Sequence, residues 1–510
     1  MKIAFLYPQW TGGYGVFGHF ARRQSRWPPI NLALLAAIAE QNGQEAVILD
    51  AEVNEWSEDK LVNLALETGA DMFGLTCYSP FFHLNTSVAK KLKESGSKTP
   101  IIVGGPHITI MKEKIIEKYP QFDYLFIGES EETLPLFLDI YKNEGDLSQV
   151  KGIVLRKDGK PYVGEPQWIP ATIKLKGTNI KKEENNFDLR YPLDKFPFPA
   201  RHLLPMNKYR MGIKTGRAHF TSIQQMRGCP WHCIFCASDK LNTTRMSTRS
   251  PQSVVDEMKQ IITDFPYITH FYIVDDVMTM WEEDHILKVC ELIVKEGLKI
   301  TFEGSTRANM IKDKSMELMA AAGLVRISFG LETTNTQMRE TMRKQVKLED
   351  YSRANDICHK YGVEAINSCM IGLPGETRET VKATLDWLAN SRSITQSNFA
   401  VAVPYPGTEF SDMAVTGSHG VELTAKEGDF SKYLRYGSAV TKVGGLTPED
   451  LIELQNEAFI NFYSKWWRWK AMFNKHGVMG FILLGLRIFR AYKGKLIKKF
   501  NPVYDHPKDY

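Results

Sequence analysis

The chain has few cysteines, and one long segment of it contains no acidic residue. Seven cysteines in 510 residues are too sparse and too unevenly placed for a disulfide framework. No apolar run approaches the ~20 residues that a membrane-spanning helix needs; the uncharged run His476–Leu486 is far too short. The opening residues Met1-Lys2-Ile3-Ala4-Phe5-Leu6 turn polar by Gln9, so no secretory h-region is expected and a reducing, cytoplasmic setting is. Acidic residues are missing from 464–500, which carry ten Lys or Arg. The rest of the chain holds 54 basic against 59 acidic residues, so the net charge of +5 belongs to that one segment. Hydrophobic content of 43% and charged content of 24% are ordinary for a globular chain of two to four domains.

Three of the seven cysteines are crowded into Arg227-Gly228-Cys229-Pro230-Trp231-His232-Cys233-Ile234-Phe235-Cys236. Three thiolates within eight residues can ligate three irons of a four-iron cluster, which ordinarily takes four cysteines, and leave one iron open. A structural zinc site is the other reading of such a string, with His232 or a distant residue as fourth ligand. Cys77, Cys290, Cys358 and Cys369 lie in apolar or helical surroundings and are expected to be plain thiols.

Residues 1–145 alternate strand and helix. Strands are predicted at Ile3–Tyr7, Ala46–Leu49, Met72–Thr76, Ile101–Val103 and Tyr124–Ile127, with helices near Ile30–Asn42, Asn85–Glu94, Lys112–Tyr119 and Glu131–Tyr141. That order implies an α/β, doubly wound parallel sheet that binds ligands beyond the carboxyl ends of its strands. The loops there contain Gly12-Gly13-Tyr14-Gly15, Cys77-Tyr78-Ser79-Pro80, Gly104-Gly105-Pro106-His107 and Gly128-Glu129-Ser130-Glu131. Residues 146–215 read as a connector, with a hairpin turning at Asp158-Gly159 and a proline-rich stretch, Pro192–Pro205, draped over a neighbouring domain. Residues 216–410 return to the βα rhythm with six units, predicting a partial (β/α)6 barrel whose mouth receives the cysteine loop. Residues 411–510 are predicted to be mostly helical and end in the basic, aromatic tail.

The cysteine loop, with an aromatic directly before its third cysteine, resembles that of the cobalamin-dependent radical SAM enzymes. The likeness extends over about residues 1–410. It includes Asp275-Asp276 after the second barrel strand, Ser328-Phe329-Gly330-Leu331-Glu332 in the fourth, Ile371-Gly372-Leu373-Pro374-Gly375-Glu376-Thr377 after the fifth and Pro404-Tyr405-Pro406-Gly407-Thr408 after the sixth. The resemblance implies that Cys229, Cys233 and Cys236 ligate a 4Fe-4S cluster and that Phe235 packs near the adenine of S-adenosylmethionine. It also implies that Asp275, Asp276, Ser328, Glu332 and Gly372 contact that cofactor, Glu332 at the ribose. The N-terminal half resembles the cobalamin-binding partner domain, with Gly104, Gly105, His107, Gly128 and Glu129 at its ligand edge. It lacks the Asp-x-His-x-x-Gly string whose histidine ligates cobalt. His107 and His19 are the nearest candidates, neither in the right context, so cobalt is expected to keep no protein imidazole.

The reaction so implied is methylation at an unactivated carbon of a hydrophobic small molecule or lipid, driven by a low-potential donor such as flavodoxin or ferredoxin. Radical cyclisation is the alternative, as in the anaerobic magnesium-protoporphyrin ester cyclase, to which the hopanoid-modifying enzymes are similar. Methylthiotransferases fit worse, since the N-terminal half has Cys77 alone where they need three more cysteines. A non-catalytic iron–sulfur and corrinoid sensor is the reading from another class. No residue is named as substrate ligand or general base. The tail 464–500 either lies on an anionic membrane surface or docks as a terminal helix, and no nucleic-acid partner is expected.

Overall fold

The computed structural model describes residues 1–11, 26–171, 191–213, 216–242, 245–279, 285–394, 396–426, 428–470, 482 and 485. The loop Gly12–Gly15, His19 and most of the basic tail lie outside the described residues. The chain divides into two compact units. One comprises Met1–His232, Cys236–Thr306 and Lys314–Val325; the other comprises Cys233–Phe235, Arg307–Asp313 and Arg326–Tyr510.

In the first unit, β1 (Lys2–Tyr7), β2 (Glu45–Asp50), β3 (Met72–Thr76), β4 (Ile101–Gly104) and β5 (Tyr124–Phe126) are parallel and ordered β2-β1-β3-β4-β5. β3 is buried along its whole length, as a central parallel strand covered on both faces must be. Its Gly74 lies under the Phe5 ring, where a Cβ would come within 2.7 Å. Ala33, Ala36, Ala37 and Ala39 on helix Ile30–Gln41 are small enough for that helix to pack closely, and all four are buried.

The expected hairpin forms as β6 (Ile153–Lys157) and β7 (Lys160–Val163), turning at Asp158 (φ 51°) and Gly159 (φ 76°), the two positive φ values of a tight hairpin turn. It is no free-standing connector: β6 pairs antiparallel with β5 and extends the first sheet to seven strands. The proline-rich stretch straps back onto the same unit. Ala200 N–H donates to Ala33 O at 2.9 Å, and Tyr209 Oη donates to Asp50 Oδ2 at 2.6 Å. Burial pushes the Asp50 carboxyl up to about 6.

Further along the first unit, β8 (Arg210–Ile213) pairs antiparallel with β9 (Gly216–Ile223). Strands β10 (Met226–Arg227) and β11 (Ser247–Thr248) form a two-residue ladder. β12 (Ile268–Ile273) lies parallel between β9 and β13 (Thr301–Thr306). In the second unit, β14 (Leu324–Glu332, belonging to this unit from Arg326), β15 (Glu364–Ile371) and β16 (Gln396–Val401) are parallel neighbours. Helices Pro251–Asp264, His285–Lys295, Asp313–Ala321, Leu348–Lys360 and Arg378–Asn390 separate the strands, matching the expected βα rhythm. Helix Pro251–Asp264 starts on a Ser250 side chain that accepts from Ser253 N–H, with proline at its first position.

Parallel sheets are normally buried on both faces, yet β14–β16 are not. Ile327, Phe329 and Leu331 of β14 are buried, while the alternating Arg326, Ser328 and Gly330 stay partly open. In β15 the open face carries Ile366, Ser368 and Met370. An open inner face leaves room for a ligand. Among the described residues no helix is long and apolar enough to cross a membrane.

Candidate active site

The motif cysteines differ from the others in exposure. Cys229, Cys233 and Cys236 are partly exposed, whereas Cys77, Cys290, Cys358 and Cys369 are buried. Burial pushes the Cys358 thiol up to about 12 and those of Cys77, Cys290 and Cys369 upward as well. Accessible thiols suit ligation; buried thiols that resist ionisation do not. His232 faces Asp239, its Nδ1 3.5 Å from Oδ2. Among the described residues no three His, Cys, Asp or Glu side chains converge as a single metal ion would require.

In the first unit the cysteine loop is braced at both ends by the two aspartates after β12. Asp275 is buried, and its Oδ1 accepts from the N–H groups of Gln225 (3.0 Å) and Met226 (3.1 Å). Burial raises its carboxyl to about 8, and among the described residues its buried Oδ2 has no hydrogen-bond partner. Asp276 accepts from Ser238 Oγ at 2.7 Å and from Gly228 N–H, and Ser238 N–H donates to Cys236 Sγ at 3.5 Å. Gly228 is irreplaceable by geometry: φ is 93°, and a Cβ would fall 1.8 Å from Arg245 O. Cys229 packs against the cluster formed by Met226, Met246 and Val277.

Arg227 reaches from this loop to the first sheet. Its Nη1 is 2.9 Å from Glu129 Oε1 and its Nη2 is 2.6 Å from Glu131 Oε1. Burial alone would lower the Arg227 pKa, but Glu131 and Glu129 outweigh it and keep the guanidinium charged. For Glu129 burial is the larger effect and raises its carboxyl, with Arg227 opposing.

The strand order of the first sheet places its topological switch point between β1 and β3. The chain ends there are aromatic: Trp10 lies 5.0 Å from Phe81, and Tyr78 is 41% exposed. Burial is the main cause that raises the Tyr7 and Tyr78 pKa values. Glu52 Oε2 accepts from the N–H groups of both Trp10 (2.9 Å) and Thr11 (3.0 Å), fixing the start of that loop.

Beside it, Gly104 O accepts from Cys77 N–H at 2.9 Å, and Gly105 (φ 102°) leaves no space for a Cβ, which would meet Cys77 N and O at 2.8 Å. Gly128 N–H donates to Thr109 Oγ1 at 3.1 Å. His107 departs from the expected loop placement. It sits in helix Pro106–Met111, is 1% exposed, has Nδ1 2.9 Å from Ser79 Oγ and lies 4.5 Å from the Phe82 ring. Burial lowers its pKa to about 4.

In the second unit Ile234 is buried, and its carbonyl accepts from Phe410 N–H at 2.9 Å, which anchors the middle of the loop. Phe235 lies 5.9 Å from Lys344 Nζ, and Lys344 Nζ is 3.1 Å from Glu332 Oε1. Burial disfavours the Lys344 charge, but Glu332, followed by Tyr351 and Cys233, more than compensates and raises its pKa. Glu332 has φ 65°, a left-handed backbone rare for a non-glycine residue and common where function demands it. Ser328 lies on the open face of β14. Gly372 (φ 92°) donates its N–H to Glu376 Oε2 at 3.3 Å.

Residues 19–138 match the B12 binding domain and residues 223–388 the radical SAM superfamily. The chain belongs to the cobalamin-binding radical SAM enzymes. Cobalamin, S-adenosylmethionine and a 4Fe-4S cluster are therefore its cofactors, and the accessible thiols and the aromatic side chains at the switch point fit them. It is 27% identical over 437 residues to an uncharacterized methyltransferase of Pyrococcus horikoshii, covering 86% of this chain and 88% of the relative. With the anaerobic magnesium-protoporphyrin IX monomethyl ester cyclase of Rubrivivax gelatinosus it shares 24% identity over 478 residues, 91% of this chain and 79% of the cyclase. The solved radical S-adenosylmethionine methyltransferase TsrM from Kitasatospora setae, with cobalamin and a [4Fe-4S] cluster bound, superposes with a TM-score of 0.69 at 16% identity, covering 91% and 88%. This radical SAM enzyme thus has an α/β fold in which a doubly wound sheet precedes a partial barrel.

Sequence reasoning missed Lys344, Ser238 and the Arg227–Glu129 contact. Lys344 is twelve residues from its carboxylate partner and Arg227 is 98 from Glu129, and no local pattern connects such distances.

Proposed function

We propose that this enzyme transfers a methyl group to an unactivated carbon of a hydrophobic small molecule or lipid. When bound, the cluster with S-adenosylmethionine supplies a carbon-centred radical and cobalamin supplies a transferable methyl group. Cys229, Cys233 and Cys236 hold the cluster, and the Ser238 N–H on Cys236 tunes its potential. Asp275 and Asp276 fix the loop and face S-adenosylmethionine. Glu332 and Ser328 take its ribose, Phe235 its adenine, and Gly372 keeps backbone close to it. Gly104, Gly105, His107, Gly128 and Glu129 form the corrin edge. In this reading residues 1–145 bind the corrinoid, 146–215 join it to the radical domain at 216–410, and 411–510 close the C-terminal side.

The observation that carries the reading is the Arg227 clasp, because it ties the predicted corrin edge to the residue two before Cys229. The P. horikoshii methyltransferase and TsrM, each spanning most of this chain, support methyl transfer. Electrons come from a flavodoxin- or ferredoxin-type donor. The tail 464–500 makes peripheral contact with the inner face of a membrane, although Arg468 itself turns inward: its Nη1 donates to Ile394 O at 2.6 Å. Liposome co-sedimentation with and without residues 471–510 tests that contact, and equal binding removes it.

The reaction is tested by anaerobic incubation with methyl-labelled S-adenosylmethionine and candidate lipids. A labelled product is expected; 5′-deoxyadenosine without label in any product favours the cyclase reading, which the R. gelatinosus relative supports.

A further inference from the structure

Each nitrogen of the Arg227 guanidinium is engaged. Nε donates to Gln224 Oε1 at 2.8 Å, Nη1 donates to Glu129 Oε1 at 2.9 Å, and Nη2 lies 2.6 Å from Glu131 Oε1. Glu129 is equally committed. Its second oxygen accepts from Ile169 N–H at 2.5 Å, and its own N–H donates to Gln167 O at 2.8 Å. The cavity against Glu129 and Arg227, lined also by Trp168, Ile169 and Arg245, measures about 10 Å³. That is the space of a single water molecule, too small for any side chain of a corrin.

Both backbones that meet here are fixed. Gly128 has φ 82°, and a Cβ on it would fall 2.1 Å from Gln167 O, so the end of β5 presses directly on the connector. Ser247 Oγ donates to Pro170 O at 2.8 Å, and Ser247 pairs with Arg227 across the β10–β11 ladder. The connector is therefore tied to the cysteine loop as well as to the first sheet. On the far side, Gly228 N–H is held by Asp276, and Arg245 O fills the place of its missing Cβ. A sheet edge and a metal-binding loop are joined with little freedom between them.

We propose that Arg227 and Glu129 are positioning residues: their ion pair sets the distance between the corrin edge and the cysteine loop, and neither binds a cofactor. The proposal rests on the corrinoid reading of residues 1–145 and makes Glu129 a brace of that edge instead of a contact to the corrin. Distance matters because reacting groups held in a fixed geometry gain orders of magnitude in rate over groups left to drift. A guanidinium suits the task. Its planar fork holds two carboxylates in set directions, which the point charge of a lysine does not.

The test uses the reconstituted holoenzyme and two readouts that need no turnover. Equilibrium dialysis gives cobalamin affinity, and electron paramagnetic resonance gives the magnetic interaction between cob(II)alamin and the reduced cluster, which weakens steeply as the two centres separate. In E129A, cobalamin affinity is expected to stay within about twofold of wild type while the interaction drops. R227Q, which removes both arms of the clasp, should lose most of the interaction at full iron content, and R227K should retain part of it. An E129A affinity weaker by roughly 10-fold or more, the cost of a lost charge-assisted hydrogen bond, overturns the proposal by making Glu129 a ligand. So does an interaction as strong as wild type's in E129A and R227Q, which would reduce the pair to a stabilising contact. If R227Q loses its iron, E129A, outside the cysteine loop, decides alone. A wild type that binds no cobalamin strikes the corrinoid reading itself, whereas bound cobalamin with an unchanged interaction in the variants strikes this proposal alone.

Discussion

Arg227 Nη1 lies 2.9 Å from Glu129 Oε1, although 98 residues separate the two in the chain. One residue stands two before the first motif cysteine and the other follows β5 of the doubly wound sheet. Glu131 completes the clasp at 2.6 Å, and Ile169 N–H donates to the second Glu129 oxygen at 2.5 Å. Both side chains of the pair are mostly buried, at 16% and 14% exposure. An ion pair so placed is costly to break from one side.

E129A should therefore destabilise the apoprotein by about 2 kcal/mol, the scale for losing a hydrogen bond to a charged group, since Glu131 still pairs with Arg227. E129Q, which keeps an acceptor for Ile169 N–H, should cost less. Urea unfolding under argon measures both, and an E129A chain as stable as wild type would show that the clasp contributes nothing.

Cysteine substitutions should separate cleanly by exposure. C233A is expected to lose cluster absorbance near 400 nm and S-adenosylmethionine cleavage, roughly to background for a missing ligand. C358A, at a buried thiol, should retain the full iron content and lose only about 1 kcal/mol of packing. Equal iron in C233A and wild type would place the cluster elsewhere.

Gly228 offers a steric test. An alanine Cβ would meet Arg245 O at 1.8 Å on a left-handed backbone, so the loop must move. G228A should fall to a small fraction of wild-type iron per chain after reconstitution, while G159A, in an open hairpin turn, should not. Undiminished iron in G228A would refute the strain argument.

Glu376 should make stability depend on pH. Burial raises its carboxyl to about 7, above the ordinary 4.5, so the folded chain holds a proton that the unfolded chain releases. Its contribution is greatest below pH 4.5 and is lost as pH rises towards 7, a change of about 3 kcal/mol for a shift of this size. E376Q cannot ionise, so its unfolding free energy relative to wild type should increase between pH 5 and pH 8. A constant difference across that range would show that Glu376 titrates normally.

Local order was legible because it is written in short-range pattern. The mostly apolar run Met72–Thr76 became a fully buried strand, and Asp158-Gly159 marked a turn that forms. The hairpin's attachment to β5 was not legible, since edge pairing depends on which strand is left open and not on the hairpin's own residues. His107 looked like a polar loop residue because its burial is made by Phe82 and Ser79, more than twenty residues away in sequence.

By itself the sequence determined the three thiols in one loop, the two successive βα stretches and the basic end, because spacing, periodicity and charge are properties of neighbours along the chain. Only the tertiary structure decided that Arg227 is gripped by Glu129 and Glu131 and that Lys344 lies near both Glu332 and Phe235. Those pairings depend on which distant charges folding removes from water together, and a linear order of residues does not carry that information.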